Sequence, residues 1–398
     1  MVSWRRFLIY GSSINLDAYI GENLSRTGDV VVCTINHRIN GFGYLNLAKV
    51  GGEKFKDSPN AGMLDCVAAL RWVNQNISQF GGDPNNVTIF GQSGGGAKVN
   101  ILMTMPEARG LFHKAVNMSG AFLRCAQFDD TAVTGGAVVE EAGLKSGEIE
   151  KLQDMPWQQC FDIIESARSK LLKGRSDMSM GGPGSLSPCV DGLHIPLHPI
   201  DSRISSHIPL IIGNCLNEQS PSANEPQLEN VSLEQVKEKL SARFKERTSI
   251  IIDAYKASFP NKKPIEIWGM LAWDLRSGVI EQANKHTDDG GKVFNYLFEW
   301  ETPLYDGRPR AYHNSDIAFW FNNTELMDSI TGGGMRPAKL GKKMAIALSQ
   351  FAKTGNPNHK NIPNWPVYDK QNGAVMIWND DVKVSNDPDR KARLTIKG

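Results

Sequence analysis

Short apolar runs recur along the chain, and turn residues and then a helical pattern follow each of them. The runs are Asp29–Ile35, Val87–Phe90, Lys114–Met118, Pro209–Gly213 and Lys292–Trp300. Runs without strict alternation are what strands covered on both faces of a parallel sheet look like. Between the first two lies Ala61–Gln79, where Met63, Leu64, Val67, Leu70 and Val73 share one helical face. Strand, helix and strand in this order predict an α/β architecture with helices flanking a mostly parallel sheet.

Two stretches, near 125–207 and 219–285, are longer than one crossover requires. They carry helical patterns such as Leu233–Phe244 and are expected to pack as excursions over the carboxyl edge of the sheet. Arg336–Thr354 predicts a helix with an alanine-rich face, stopped by Gly355-Asn356-Pro357. From Asn361 the pattern is loop and short strand. With no repeat and no low-complexity linker, the whole of 1–398 is expected to form a single domain.

Composition adds mostly exclusions. The 398 residues are 40% hydrophobic and 22% charged, with a formal net charge of +1, so nothing favours nucleic acid or an anionic membrane surface. No apolar run approaches the roughly 20 residues that span a bilayer, and Phe7-Leu8-Ile9-Tyr10 is too short for a signal-peptide core. The compartment and the oligomeric state are not legible. Cys33, Cys66, Cys125, Cys160, Cys189 and Cys215 form no CxxC pair and no spacing suited to a metal. Cys33 and Cys66 read as small core residues, and the other four leave a disulfide open. No cofactor and no metal are indicated.

The chemistry concentrates at Val87-Thr88-Ile89-Phe90-Gly91-Gln92-Ser93-Gly94-Gly95-Gly96, a strand running into a G-x-S-x-G turn. A serine on a sharp strand-to-helix turn projects its hydroxyl beyond the sheet edge, and glycines two before and two after avoid clashes there. The following helix start offers amides and a dipole that favour developing negative charge. A bare G-x-S-x-G arises by chance on the order of 0.1 times in such a chain, and its place between strand and helix lowers that further. Ser93 is therefore the candidate nucleophile.

In the fold that uses this turn, an acid and then a histidine follow the serine, each after a strand. The loop after Pro209–Gly213 offers Glu218. The loop after Trp300 leads to His313. His113, His286 and His359 compete on position, while His194, His198 and His207 precede the acid. Position alone leaves His313 and Glu218 open, since a histidine is more often structural and a loop carboxylate more often solvated.

Taken together, Phe80-Gly81-Gly82-Asp83-Pro84-Asn85-Asn86 and the strand and turn that follow resemble the signature of type-B carboxylesterases, the family of cholinesterases and bacterial para-nitrobenzyl esterases. Asn36-His37-Arg38, Asn60 through Asp65, Ala311 through Ile317 and Trp365-Pro366 extend the likeness over nearly the whole chain. The resemblance implies an α/β-hydrolase fold and cleavage of a small-molecule carboxylic ester. It implies Ser93 as nucleophile, His313 as base, Glu218 as its partner, and the Gly94 amide as one oxyanion donor. Around Glu218, Asn217 and Gln219 replace the usual Asp and Gly. A non-catalytic binding or adhesion protein is the alternative, and an amide, lactone or carbamate substrate is another.

The start departs from the pattern. The family carries about a hundred residues of first strands and a His-Gly-Gly-Gly oxyanion segment before this point, whereas this chain reads Met1-Val2-Ser3-Trp4-Arg5-Arg6-Phe7 and rejoins near Gly11-Ser12-Ser13. With suitable codons, Ser3–Phe7 read one base out of frame encode His-Gly-Gly-Gly. The expectation is a chain lacking its first strands, through a frame error, a pseudogene or a true alternative start, and impaired in turnover.

Overall fold

The computed structural model describes residues 1–4, 16–173 and 181–397. The expectation for Arg5 through Ser13 lies outside them. Among the described residues, the strands in chain order are β1 (Val2–Trp4), β2 (Cys33–Thr34), β3 (Thr88–Gln92), β4 (Lys114–Met118), β5 (Ala126–Gln127), β6 (Cys189–Val190), β7 (Leu210–Cys215), β8 (Val293–Phe298), β9 (Ala374–Trp378) and β10 (Lys383–Asn386). All but β5 and β6, which pair with each other, form one sheet in the order β10-β9-β8-β7-β4-β3-β1-β2. Its pairings are parallel except β9 with β10.

Every residue of β3, β4, β7, β8 and β9 is buried, which is why the first four read as mostly apolar runs without strict alternation. Successive side chains still go to opposite faces. Ile89, Ala115, Ile212 and Val293 join one core with Met63, Val67 and Leu70 of the helix Ala61–Asn76 and with Val279 and Ala283. Their neighbours Phe90, Val116, Ile211 and Phe294 join a second core with Met344, Leu348 and Phe351 of the helix Met335–Thr354. The sheet is the partition between two apolar layers. A third cluster, including Leu45, Phe55, Val138 and Ile164, packs the helices Phe128–Glu141 and Trp157–Leu172 against residues 45–55.

Differences from expectation have local causes. The run Asp29–Ile35 forms a strand only at Cys33–Thr34, because its neighbour β1 is three residues long and pairs at Val2↔Cys33 and Ser3↔Thr34. The helix from Ala61 ends at Asn76 and tightens into a 3-10 turn over Ile77–Phe80. Leu275–Asp288 belongs to the sheet, as a crossover helix packed on β7 and β8. Met335–Thr354 stops where expected, at Gly355 with φ 76°. All six cysteines are free, including the four that left a disulfide open, and Cys33 is only partly buried. No helix of the described residues is long and apolar enough to cross a membrane.

Trp378 belongs to the second core, with the rings of Trp320 and Trp365 each 5.7 Å away and nearly perpendicular. It is 0% exposed, and its indole nitrogen has no hydrogen-bond partner. Removing so large a buried ring costs about 3–5 kcal/mol, whereas phenylalanine retains edge packing and deletes an unsatisfied donor. We expect chemical denaturation to show that Trp378→Ala loses that much stability and Trp378→Phe clearly less. Equal losses would contradict this account of the core.

Candidate active site

The parallel strands end along one edge, and the candidate residues leave from that edge. Ser93 follows β3 at φ 57° and ψ −122°, a conformation a non-glycine residue holds only at a cost of order 1–3 kcal/mol. Its backbone is pinned, since its N–H donates to the Met118 carbonyl at 2.8 Å and its carbonyl accepts from Ala97 N–H at 2.9 Å. A Cβ on Gly91 would stand 2.4 Å from the Gly95 backbone, so the turn closes only without a side chain there. The helix Gly94–Leu102 begins at once, and its first amides lack intrahelical acceptors. Gly94 is therefore at the helix start, where the resemblance requires an oxyanion donor.

Glu218 lies three residues past β7 and is 3% exposed. One carboxylate oxygen accepts from Ser119 Oγ at 2.8 Å and from Cys215 N–H at 3.0 Å. The other meets His313 Nδ1 at 2.5 Å. Two donors on one oxygen and the imidazole on the other leave this carboxylate little freedom. His313 is 8% exposed, and its remaining nitrogen faces the elbow, where the Gln92 amide nitrogen stands 3.1 Å from Nε2. With Nδ1–H donating to Glu218, Nε2 is the acceptor, the form a general base requires. Nε2 accepts this hydrogen bond from the Gln92 amide rather than from Ser93.

The competing histidines are committed elsewhere. His113 Nδ1 accepts from Val87 N–H at 3.1 Å, His286 Nε2 donates to the Ile208 carbonyl at 2.7 Å, and His359 Nε2 donates to that of Lys343 at 3.1 Å. His194 is held between Glu107 and Asp57 at 2.6 and 2.8 Å, and its pKa is raised by those two carboxylates against the effect of burial. Among the described residues, no group of three or more His, Cys, Asp or Glu side chains could hold a metal.

A mostly parallel sheet flanked by helices, with a strained serine at the strand-to-helix turn, defines an α/β hydrolase. The sequence profile of the Carboxylesterase family matches residues 6–395; the chain belongs to that family and is a carboxylic ester hydrolase. It is 30% identical to the para-nitrobenzyl esterase of Bacillus subtilis (strain 168) over 404 aligned residues, covering 98% of this chain and 78% of that protein. It is likewise 30% identical to the phenmedipham hydrolase of Pseudarthrobacter oxydans, over 98% of this chain and 77% of that one. Among solved structures, an esterase from Clostridium hathewayi that hydrolyses aliphatic aromatic polyesters superposes with a TM-score of 0.82 at 36% identity, covering all of this chain and 78% of that one.

The structure brings in residues that sequence reasoning passed over. Gln92 and Ser119 touch His313 and Glu218 directly. The Trp273 ring, at the end of the helix Pro264–Ala272, lies 4.6 Å from the imidazole. Asp316 lies three residues past His313 and is 0% exposed. One of its oxygens accepts from Tyr296 OH at 2.8 Å and Trp320 Nε1 at 3.1 Å, and the other has no partner. Ser119 and Asp316 could have been noticed as polar residues just past an apolar strand and inside a recognised segment. Trp273 left no local signal.

Burial pushes the Asp316 carboxyl up to about 6, with the Glu218 charge adding to the effect and the Tyr296 and Trp320 donors opposing it. A raised pKa means that the native state binds the proton more tightly. The associated stability is therefore full below the ordinary value of about 3.9 and is lost as pH rises through about 6. Asp316→Asn cannot titrate. Measured by denaturant at pH 4 and pH 7.5, its stability relative to the parent should improve with rising pH, by on the order of 3 kcal/mol. Parallel pH profiles would show that Asp316 does not titrate in this range.

Proposed function

We propose that the chain cleaves its ester through an acyl-enzyme on Ser93. His313 Nε2 takes the serine proton as the hydroxyl attacks the carbonyl, and returns it to the leaving alcohol. A water, deprotonated in turn by His313, then attacks the acyl carbon, and the proton passes from His313 to Ser93 Oγ as the acid leaves. Glu218 fixes the tautomer and stabilises the imidazolium. The Gly94 amide at the helix start donates to the developing oxyanion. In this scheme the Gln92 amide yields Nε2 to Ser93 as substrate arrives, in keeping with catalytic hydrogen bonds that tighten only in the complex. The observation that carries the reading is the 2.5 Å contact of His313 Nδ1 with a buried, fully engaged Glu218 beside an elbow serine.

The same reading sets an expectation for rate. The sequence contains no His-Gly-Gly-Gly run, which the family resemblance implies as the source of the other oxyanion amides. Losing one such donor costs about 10²–10³ in turnover. Assayed on para-nitrophenyl esters, the polypeptide as written should turn over slowly, and Ser93→Ala should bring it to the uncatalysed background. Residual hydrolysis unchanged by Ser93→Ala would contradict the nucleophile. Robust turnover abolished by that substitution would support the nucleophile and contradict the impairment.

A further inference from the structure

We propose that Arg310, three residues before His313, is a positioning residue that sets the imidazole against Glu218. This rests on the reading of Ser93, His313 and Glu218 given above. The loop that carries His313 has little regular structure of its own. Tyr305, Asp306, Gly307, Arg310 and Asn314 all stand at positive φ, between 52° and 74°, and a chain so bent is held by contacts made elsewhere.

Those contacts go to the segment that carries the acid. Asn217 N–H donates to the Ala311 carbonyl at 3.0 Å, and Ser220 Oγ donates to that of Pro309 at 2.5 Å. Arg308 Nη1 donates to the Ser222 and Ala223 carbonyls at 2.9 and 2.8 Å. Arg310 supplies the charged clamp. Its Nη1 and Nη2 meet the two oxygens of Glu229 at 2.8 and 2.7 Å, and its Nε lies 3.5 Å from Glu266.

Arg310 is 8% exposed, and a two-pronged pair in such surroundings fixes direction as well as distance. The Arg310 hydrogen bonds, helped by Lys263, hold the Glu229 carboxyl down at about 2, so the pair stays charged throughout the working range. Glu266 belongs to the helix whose end presents Trp273 to the imidazole. Arg310 thus ties the histidine loop, the acid's own segment and the element flanking the imidazole at one point. A misplacement of about 1 Å at a reacting group is enough to cost roughly 10²-fold.

The test uses the full chain and saturation kinetics of Ser93 modification by a fluorophosphonate, together with the far-downfield proton resonance of the His313 Nδ1–H to Glu218 bond. Arg310→Gln should lower the maximal modification rate by about 10–10²-fold, leave the half-saturating concentration unchanged, and remove or broaden the resonance. Arg310→Lys should recover part of both. If Arg310→Gln does not fold, Glu229→Gln decides by the same readouts. A folded variant with the parental rate and resonance overturns the proposal. If the parent chain leaves Ser93 unmodified, the catalytic reading fails, and the resonance alone then decides whether Arg310 places His313.

Discussion

The in-register parallel pairing of β3, β4, β7 and β8 is the constraint on which everything else depends. Gln92 pairs with Met118, Met118 with Gly213, and Gly213 with Tyr296. Four carboxyl ends therefore come level within two residues. Ser93, Ser119 and the Glu218 loop leave from three of them, and the His313 loop from the fourth. Because both faces of these strands are buried, a one-residue slip would turn every apolar side chain into the wrong layer. Hydrophobic register is what sets the reach between a serine, a carboxylate and an imidazole far apart in sequence.

Beyond the sheet, polar contacts take over. The acid and histidine loops continue the β7–β8 pairing as a single bridge, Asn217↔Tyr312, and then depend on side chains. At Arg310 and Glu229 buried charge is paired, whereas Asp316, a carboxyl left without a full set of partners, has its ionisation opposed by burial. Unpaired charge is costly in such surroundings and paired charge gives direction. The loops can therefore be irregular without being loose.

What was legible in the sequence follows from the same division. Lys114–Met118 and Leu233–Phe244 have the bounds that their patterns predict, because buried runs and amphipathic faces are local signals. Asp29–Ile35 over-promised, since its short partner is not visible in its own residues. The terminal helix Arg390–Lys397 was missed because its charged sequence hides a narrow buried side formed by Ala392 and Arg393. The strained turn at the candidate Ser93 was legible because a strand-to-helix G-x-S-x-G turn is written in consecutive residues. Glu218 and His313 needed chain order and family resemblance, as rival histidines look the same in one dimension. Trp273 and Arg310 stayed hidden, since each acquires its part only through a contact across tens of residues, while Ser119 showed only as a polar residue just past an apolar strand.

The central claim is that Ser93 forms the covalent intermediate with the help of His313 and Glu218. It is tested most directly by incubating the chain with para-nitrophenyl acetate, quenching in acid and mapping the acyl group by peptide mass spectrometry. The account predicts a single acetyl group on the peptide bearing Ser93, absent in Ser93→Ala and accumulating far more slowly in His313→Ala and Glu218→Gln. Acetyl on another residue, or on Ser93 at an equal rate in all three proteins that retain the serine, would contradict it.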